Sequence, residues 1–359
     1  MGKLRYSNNC TKFESENKFL TFHYSDTANL ISKLTPAKIA NAARVYYSYY
    51  YSKSTGKYMA PGMPFSMAFE PTTSCNLRCP ECPSGLRSFT RPTGMLEPEF
   101  FKHQIDQLRH HLIYLTFYFQ GEPYLHKEFL DMAHYASRHK IYTATSTNAH
   151  YLDEATAKKT VESGLDRLII SLDGTTQETY ESYRVGGKLD KVLEGAENII
   201  KWKKRLKSVT PHVIFQFLVV RPNEHQVDDA QLLAREIGVN EITFKTAQIY
   251  DYHQGSALIP TIDRFSRYTS NDDGTYDQKN PLDNHCWKMW HSAVMTWDGK
   301  VVPCCFDKDA SYEMGNLRET PLKDVWYSGQ YEQFRKMLLQ SRSEIEICKN
   351  CSEGLGVYG

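Results

Sequence analysis

Cys75, Cys79 and Cys82 stand in the stretch "SCNLRCPECP", spaced CxxxCxxC. Three thiols in one short loop are one fewer than a structural zinc site takes. A four-iron cubane offers another account, because three thiolates can hold three iron corners and leave the fourth open as a binding site. On the triplet alone, a zinc site that borrows a distant fourth ligand is the alternative. A second set, Cys286, Cys304, Cys348 and Cys351, has 17, 43 and 2 residues between successive members. Four thiolates satisfy every corner of a cubane and close it. Four cysteines are also a zinc signature, although the long asymmetric gap fits a zinc knuckle poorly.

Such sites need elements to hold them. Six β-branched or aromatic runs, near 65–71, 113–119, 141–147, 167–173, 212–220 and 241–247, alternate with helical patterns, the signature of repeated βα units and a parallel sheet. The clearest helix is "DKVLEGAENIIKWKKRLK", with Val192, Leu193, Ala196, Ile199, Ile200 and Trp202 largely on one face. The fold class expected is α/β, a partial (β/α)6 TIM-like barrel with a small C-terminal cysteine-rich domain. Barrels place their chemistry after the C-terminal ends of the strands, and the three cysteines follow the first run directly. Four segments are expected: an N-terminal helical extension at 1–62, the barrel at 63–249, an aperiodic bridging loop at 250–285, and the cysteine domain at 286–359. That last domain opens on a hairpin turning at Asp298-Gly299 and continues with a helix over "GQYEQFRKMLLQ". The aromatic run "VYYSYYY" in the extension reads as a packing face.

Composition narrows the partners. With 43 basic and 42 acidic residues the net charge is +1, so no global field draws nucleic acid or an anionic membrane. The first residues show charge without a following apolar run, Tyr6 breaks a myristoylation motif, and no stretch is long and apolar enough to span a bilayer. A cytoplasmic protein is expected. Nine cysteines in a reducing compartment are a poor disulfide framework, and their two clusters predict two metal sites.

The CxxxCxxC loop after the first strand of a partial barrel closely resembles the radical S-adenosylmethionine (SAM) enzymes. The resemblance covers roughly residues 65 to 355. It implies that SAM chelates the open iron and is cleaved reductively to a 5′-deoxyadenosyl radical, which takes hydrogen from an organic substrate. "QGEP" resembles the family's Gly-Glu-Pro type motif, so Gly121, Glu122 and Pro123 are expected at the methionine ammonium, with Glu122 accepting its charge-assisted bond. "STN" and "SLDG" end the next two strands; Ser146, Asn148, Ser171 and Asp173 resemble the ribose and carboxylate contacts, and Arg184 a partner for the SAM carboxylate. Each also reads as ordinary turn or surface chemistry taken singly. Glu81 departs from the family, which often has an aromatic residue there against adenine. Lys245, Gln216 and His150 are further candidates at strand ends.

The stretch from Cys286 to Cys304 resembles the opening of a SPASM extension, and the single closing CxxC makes it similar to the shortened "twitch" form with one auxiliary 4Fe-4S cluster, as in radical SAM aminocyclitol dehydrogenases. This implies a second closed cluster, an electron donor such as flavodoxin or ferredoxin, and a small-molecule or peptide substrate. Net two-electron oxidation is the leading expectation. Peptide cross-linking or epimerisation is the enzymatic alternative, and a non-catalytic zinc-binding module the alternative of another class. The first sixty residues are short and polar for a peptide-recognition domain. Cys305, beside Cys304, reads either as a buried apolar thiol or as a catalytic hydrogen-atom donor.

Overall fold

The structure, a computed structural model, describes residues 25–279 and 282–351. Cys10 and the charged first residues lie outside them. Six strands follow one another in parallel: β1 (Ser66–Phe69), β2 (Tyr114–Thr116), β3 (Tyr142–Thr147), β4 (Arg167–Ser171), β5 (His212–Val219) and β6 (Glu241–Thr246). All six fall inside the runs expected from the sequence, with β2 shorter than its run. Helices cover the outer face after each of the first five. In Pro98–Leu108 the buried positions are Phe101, Gln104, Ile105 and Leu108, the spacing of one helical face. In Leu189–Leu206 they are Leu189, Val192, Gly195, Ala196, Ile199 and Ile200, while Leu193 and Trp202 pack at the core's margin.

The stretch 250–285 is not wholly loop. It carries a hairpin of β7 (Tyr268–Ser270) and β8 (Tyr276–Gln278), joined where Asn271 N–H bonds Thr275 O at 2.8 Å and Gly274 takes φ +84°. Three-residue strands are too short to show a period in sequence.

The C-terminal hairpin of β9 (Ser292–Met295) and β10 (Lys300–Val302) turns at Asp298-Gly299 as expected, with β11 (Gly315–Asn316) beside it. It does not form a sheet of its own. β9 pairs in parallel with β1, Ser66 opposite Ser292 through Phe69 opposite Met295, so one nine-stranded sheet runs β11-β10-β9-β1-β2-β3-β4-β5-β6. Loops reinforce the join: Arg91 grips buried Glu70 through two bonds of 2.9 and 2.6 Å, and its Nε donates to Lys308 O at 2.9 Å. The expected helix is Gly329–Ser341, whose Arg335 lies 4.0 Å from the ring centre of Trp326 and 4.2 Å from that of Tyr331.

The N-terminal part is helical as expected over 25–32 and Pro36–Thr55. The first of these closes the end of the barrel opposite the cysteines. There Asp26 meets Arg167 and Tyr142, the first residues of β4 and β3, and Asn29 donates to Asp166 at 2.8 Å. From the second, Tyr49 packs edge-on to Trp287 and Trp290, while Tyr47 and Tyr50 face solvent. The aromatic run is thus a packing face along one edge. No helix among the described residues is long and apolar enough to cross a membrane.

Candidate functional site

The loop leaving β1 folds back on itself before the single helical turn Pro83–Leu86. Gly85 makes that possible, since a Cβ there would lie 2.6 Å from both the N and the O of Cys79. Cys79 is buried, Cys75 and Cys82 half-buried, and all three face one cavity of about 170 Å³. Polar groups approach the sulfurs: Leu77 N–H reaches Cys75 Sγ at 3.4 Å, Asn148 Nδ2 the same sulfur at 3.9 Å, and Arg184 Nη1 reaches Cys79 Sγ at 3.7 Å. Burial pushes the Cys75 thiol up to about 11, and also raises Cys79 despite the opposing charge of Arg184. Without a bound cation these thiols keep their protons; a metal that draws them to thiolates fits the N–H donors around them.

The ends of β2, β3 and β4 form the rest of the wall. Gly121 has φ +76°, and a Cβ there would stand 2.2 Å from Thr72 O, so only glycine lets β2's end lie against the cysteine loop. Its N–H donates to Ser84 Oγ at 2.8 Å, and Glu122 N–H donates to Ser74 O at 2.7 Å. Gly121, Glu122, Ser146, Asn148, Ser171 and Arg184 all line the cavity.

Three expected contacts are otherwise engaged, Asn148 among them, whose Nδ2 donates to Asn76 Oδ1 at 2.7 Å and whose Oδ1 accepts from His150 N–H at 3.1 Å. The Glu122 carboxylate accepts from Thr147 Oγ1 at 2.8 Å, Asn148 N–H at 2.7 Å and Tyr124 N–H at 3.3 Å, so it pins β3 to β2. Burial raises its pKa to about 7 against the pull of those bonds. Asp173 is fully buried behind the wall, where it pairs with Arg184 Nε and accepts from Leu218 N–H at 2.8 Å. Its direct partner is therefore Arg184. Pro123 starts a 3-10 turn and stands outside the lining. His150 is held in its turn, with Nε2 accepting from Lys188 N–H at 2.8 Å. Gln216 is half-buried and Lys245 exposed. Gln120 and Thr147, inside the "QGEP" and "STN" motifs, join the lining, as do Ser84 and Tyr118, which no motif announces. Glu81 accepts from Tyr250 N–H at 3.0 Å, and Lys308 lies 4.5 Å from that tyrosine's ring centre, so three segments meet where an aromatic residue was expected.

In the second set, Cys286, Cys304, Cys348 and Cys351 are each buried to 9% exposure or less. Cys351 N–H donates to Cys348 O at 3.0 Å, folding that pair into one turn. Arg342 is 1% exposed and directs Nη2 at Cys351 Sγ from 3.5 Å. Burial pushes the Cys348 thiol up to about 12 although Arg342 opposes it. Cys305 lies beside this set: its side chain interacts with that of Cys304, Lys288 Nζ reaches its Sγ at 3.5 Å, and it packs near Phe119, Val294, Val302 and Ala310. Among the described residues no three His, Cys, Asp or Glu side chains are close enough to hold one metal ion. In an iron-sulfur cluster each thiolate takes its own iron, so the cysteines need not converge on a point, and both thiol sets suit that ligation.

Residues 69–231 match the family model of the radical SAM superfamily, and residues 286–352 match that of the SPASM iron-sulfur cluster-binding domain. The chain is 24% identical over 326 residues to a cofactor-modifying protein for a tungsten-containing aldehyde ferredoxin oxidoreductase of Pyrococcus furiosus, covering 79% of this chain and 86% of that one. It is 26% identical over 302 residues to the SAM-dependent 2-deoxy-scyllo-inosamine dehydrogenase of Niallia circulans, covering 80% and 93%. In fold it is similar to Streptococcus suis SuiB bound to SAM, with a TM-score of 0.60 at 15% identity over 80% of this chain and 71% of SuiB. The parallel barrel, its cysteine loop and the second thiol set agree with both family models: the chain is a member of the radical SAM superfamily with a C-terminal SPASM domain, and its cofactors are SAM and 4Fe-4S clusters.

Proposed function

We propose that this enzyme uses the radical made from SAM to remove a hydrogen atom from a small organic substrate and completes a net two-electron oxidation. The supporting observation is that one continuous sheet carries two thiol sets of different kind, three cysteines facing a cavity and four buried. Bound there, the clusters supply single-electron chemistry, the open one reducing SAM to the 5′-deoxyadenosyl radical and the closed one taking an electron away. On this reading Cys75, Cys79 and Cys82 hold the first cluster and Cys286, Cys304, Cys348 and Cys351 the second. Asn148, Ser146 and Ser171 offer polar groups to SAM, and Arg184, oriented by Asp173, offers a cation to its carboxylate. Glu122 keeps the strand ends in place, and Gly121 lets the β2 end lie against the cysteine loop. The substrate carbon would lose a hydrogen atom to the radical, which becomes 5′-deoxyadenosine, then an electron to the second cluster and a proton to solvent, so the balance closes without oxygen. A cytoplasmic flavodoxin or ferredoxin is the expected source of the first electron.

The test is anaerobic reconstitution, iron counting, and a SAM plus dithionite assay. About eight irons per chain are expected, falling to about four in the Cys75/Cys79/Cys82 triple alanine variant, with deoxyadenosine formation abolished. Deoxyadenosine formed by the triple variant would sink the assignment of the first site. Purified zinc without SAM cleavage would instead support the binding-module alternative. Products of equal oxidation state to the substrate would favour peptide epimerisation.

A further inference from the structure

Both thiol sets have an arginine among them, and the two arginines are not equivalent. Arg184 reaches Cys79, but its Nε is paired with the carboxylate of fully buried Asp173, so that side chain pair brings the first site little net charge. Arg342 comes from the turn after helix Gly329–Ser341. Its Nη1 donates to His285 O at 2.8 Å and Asp283 O at 3.3 Å, while Nη2 faces Cys351 Sγ. A guanidinium keeps its charge even when buried. Its backbone N–H is fixed by Asn284 Oδ1 at 2.9 Å, and Asn284 Nδ2 in turn donates to Gln340 O at 2.7 Å, which leaves the side chain little freedom to leave the thiols.

We propose that Arg342 raises the electron affinity of the four-cysteine site, so that an electron leaving the substrate is drawn to it. The inference rests on the functional reading above for its purpose and on geometry for its substance. Cluster potentials follow net charge and hydrogen bonds to sulfur. Reduction adds one negative charge, and a fixed cation within hydrogen-bonding distance of a ligand sulfur favours that state over the oxidised one. Arg342 acts through the cysteines and is a positioning residue with an electrostatic role. At the three-cysteine site the charge of Arg184 is offset by Asp173.

The experiment is an anaerobic potentiometric titration, read by electron paramagnetic resonance, of the full chain in the Cys75/Cys79/Cys82 triple alanine background, so that only the second cluster is present. Arg342→Gln is expected to reduce the equilibrium constant for reduction about tenfold, a 59 mV lower midpoint for one electron, while Arg342→Lys keeps most of the original value. A Gln variant with four irons and an unchanged midpoint overturns the proposal. If the Gln variant assembles no cluster while the Lys variant does so with the original midpoint, the charge serves assembly and the proposal is overturned. If neither variant assembles, Arg342 serves the fold alone and the proposal is overturned. The titration contains neither SAM nor substrate. A shifted midpoint in an enzyme found to oxidise nothing would therefore discard the functional reading and leave this one standing.

Discussion

The two cysteine sites use the same ligand and opposite surroundings. At the first, thiols open onto a cavity whose wall is built from the ends of three strands, and the nearby arginine is neutralised by a buried aspartate. At the second, thiols are buried among helices and turns, and the arginine faces a sulfur and also donates to backbone carbonyls. On the proposed roles, access and the balance of nearby charge, rather than ligand type, set the two sites apart.

The largest way to break the contrast is Asp173→Asn, which strips Arg184 of its counter-charge. Leaving a buried cation uncompensated costs about 3–5 kcal/mol, so chemical denaturation should shift by that amount and deoxyadenosine formation should fall with it; an unchanged denaturation midpoint would show that the pair is not what holds Arg184. Next comes Gly121→Ala. The added Cβ collides with Thr72 O and moves the β2 end away from the cysteines, and a displacement of about 1 Å costs ~10²-fold in rate. Deoxyadenosine formation measures it, and a variant with full activity would mean that the close approach of these loops is dispensable. Cys351→Ala sharpens the comparison from the other side. It should leave deoxyadenosine formation in place while product per deoxyadenosine drops about tenfold, ~1.4 kcal/mol; equal losses of both would mean that the second site serves the first.

The last prediction concerns a control region remote from both sites. Lys38 is 1% exposed, and burial, with Lys33 and Lys140 adding to it, lowers its pKa to about 8. Between about 8 and its ordinary value the unfolded chain binds more protons at this residue, so its burial penalty is relieved as pH rises. Wild type should gain stability relative to Lys38→Met by about 1–3 kcal/mol from pH 7 to 10. Parallel pH curves for the two proteins would show that Lys38 does not titrate in this range.

The barrel strands were readable because each is a run of β-branched or aromatic residues set off by helical periodicity, and the cysteine loop because its spacing is local. Order along the chain also brought Gly121, Ser146, Asn148, Ser171 and Arg184 to one cavity. What escaped were relations between distant residues. Glu122 carries the charge expected of a ligand contact, yet its oxygens are taken by Thr147, Asn148 and Tyr124; an acidic residue in a turn looks the same in sequence whichever partners it finds. Asp173 behind Arg184 and Arg342 among the thiols are of the same kind, each defined by a neighbour that no period or spacing announces. The β7–β8 hairpin was hidden by the shortness of its strands.

The parallel pairing of β9 with β1 gives the molecule a built-in ruler. Four residues of the strand that leads to the first cysteine loop are keyed, one to one, to four residues of the strand that precedes Cys304. A slip of one residue would translate the second site by about 3.3 Å and turn its strand's side chains to the opposite face. Electron transfer between centres depends steeply on their separation, so the backbone ladder here acts as a gauge block: it sets a distance that side chains alone would leave loose.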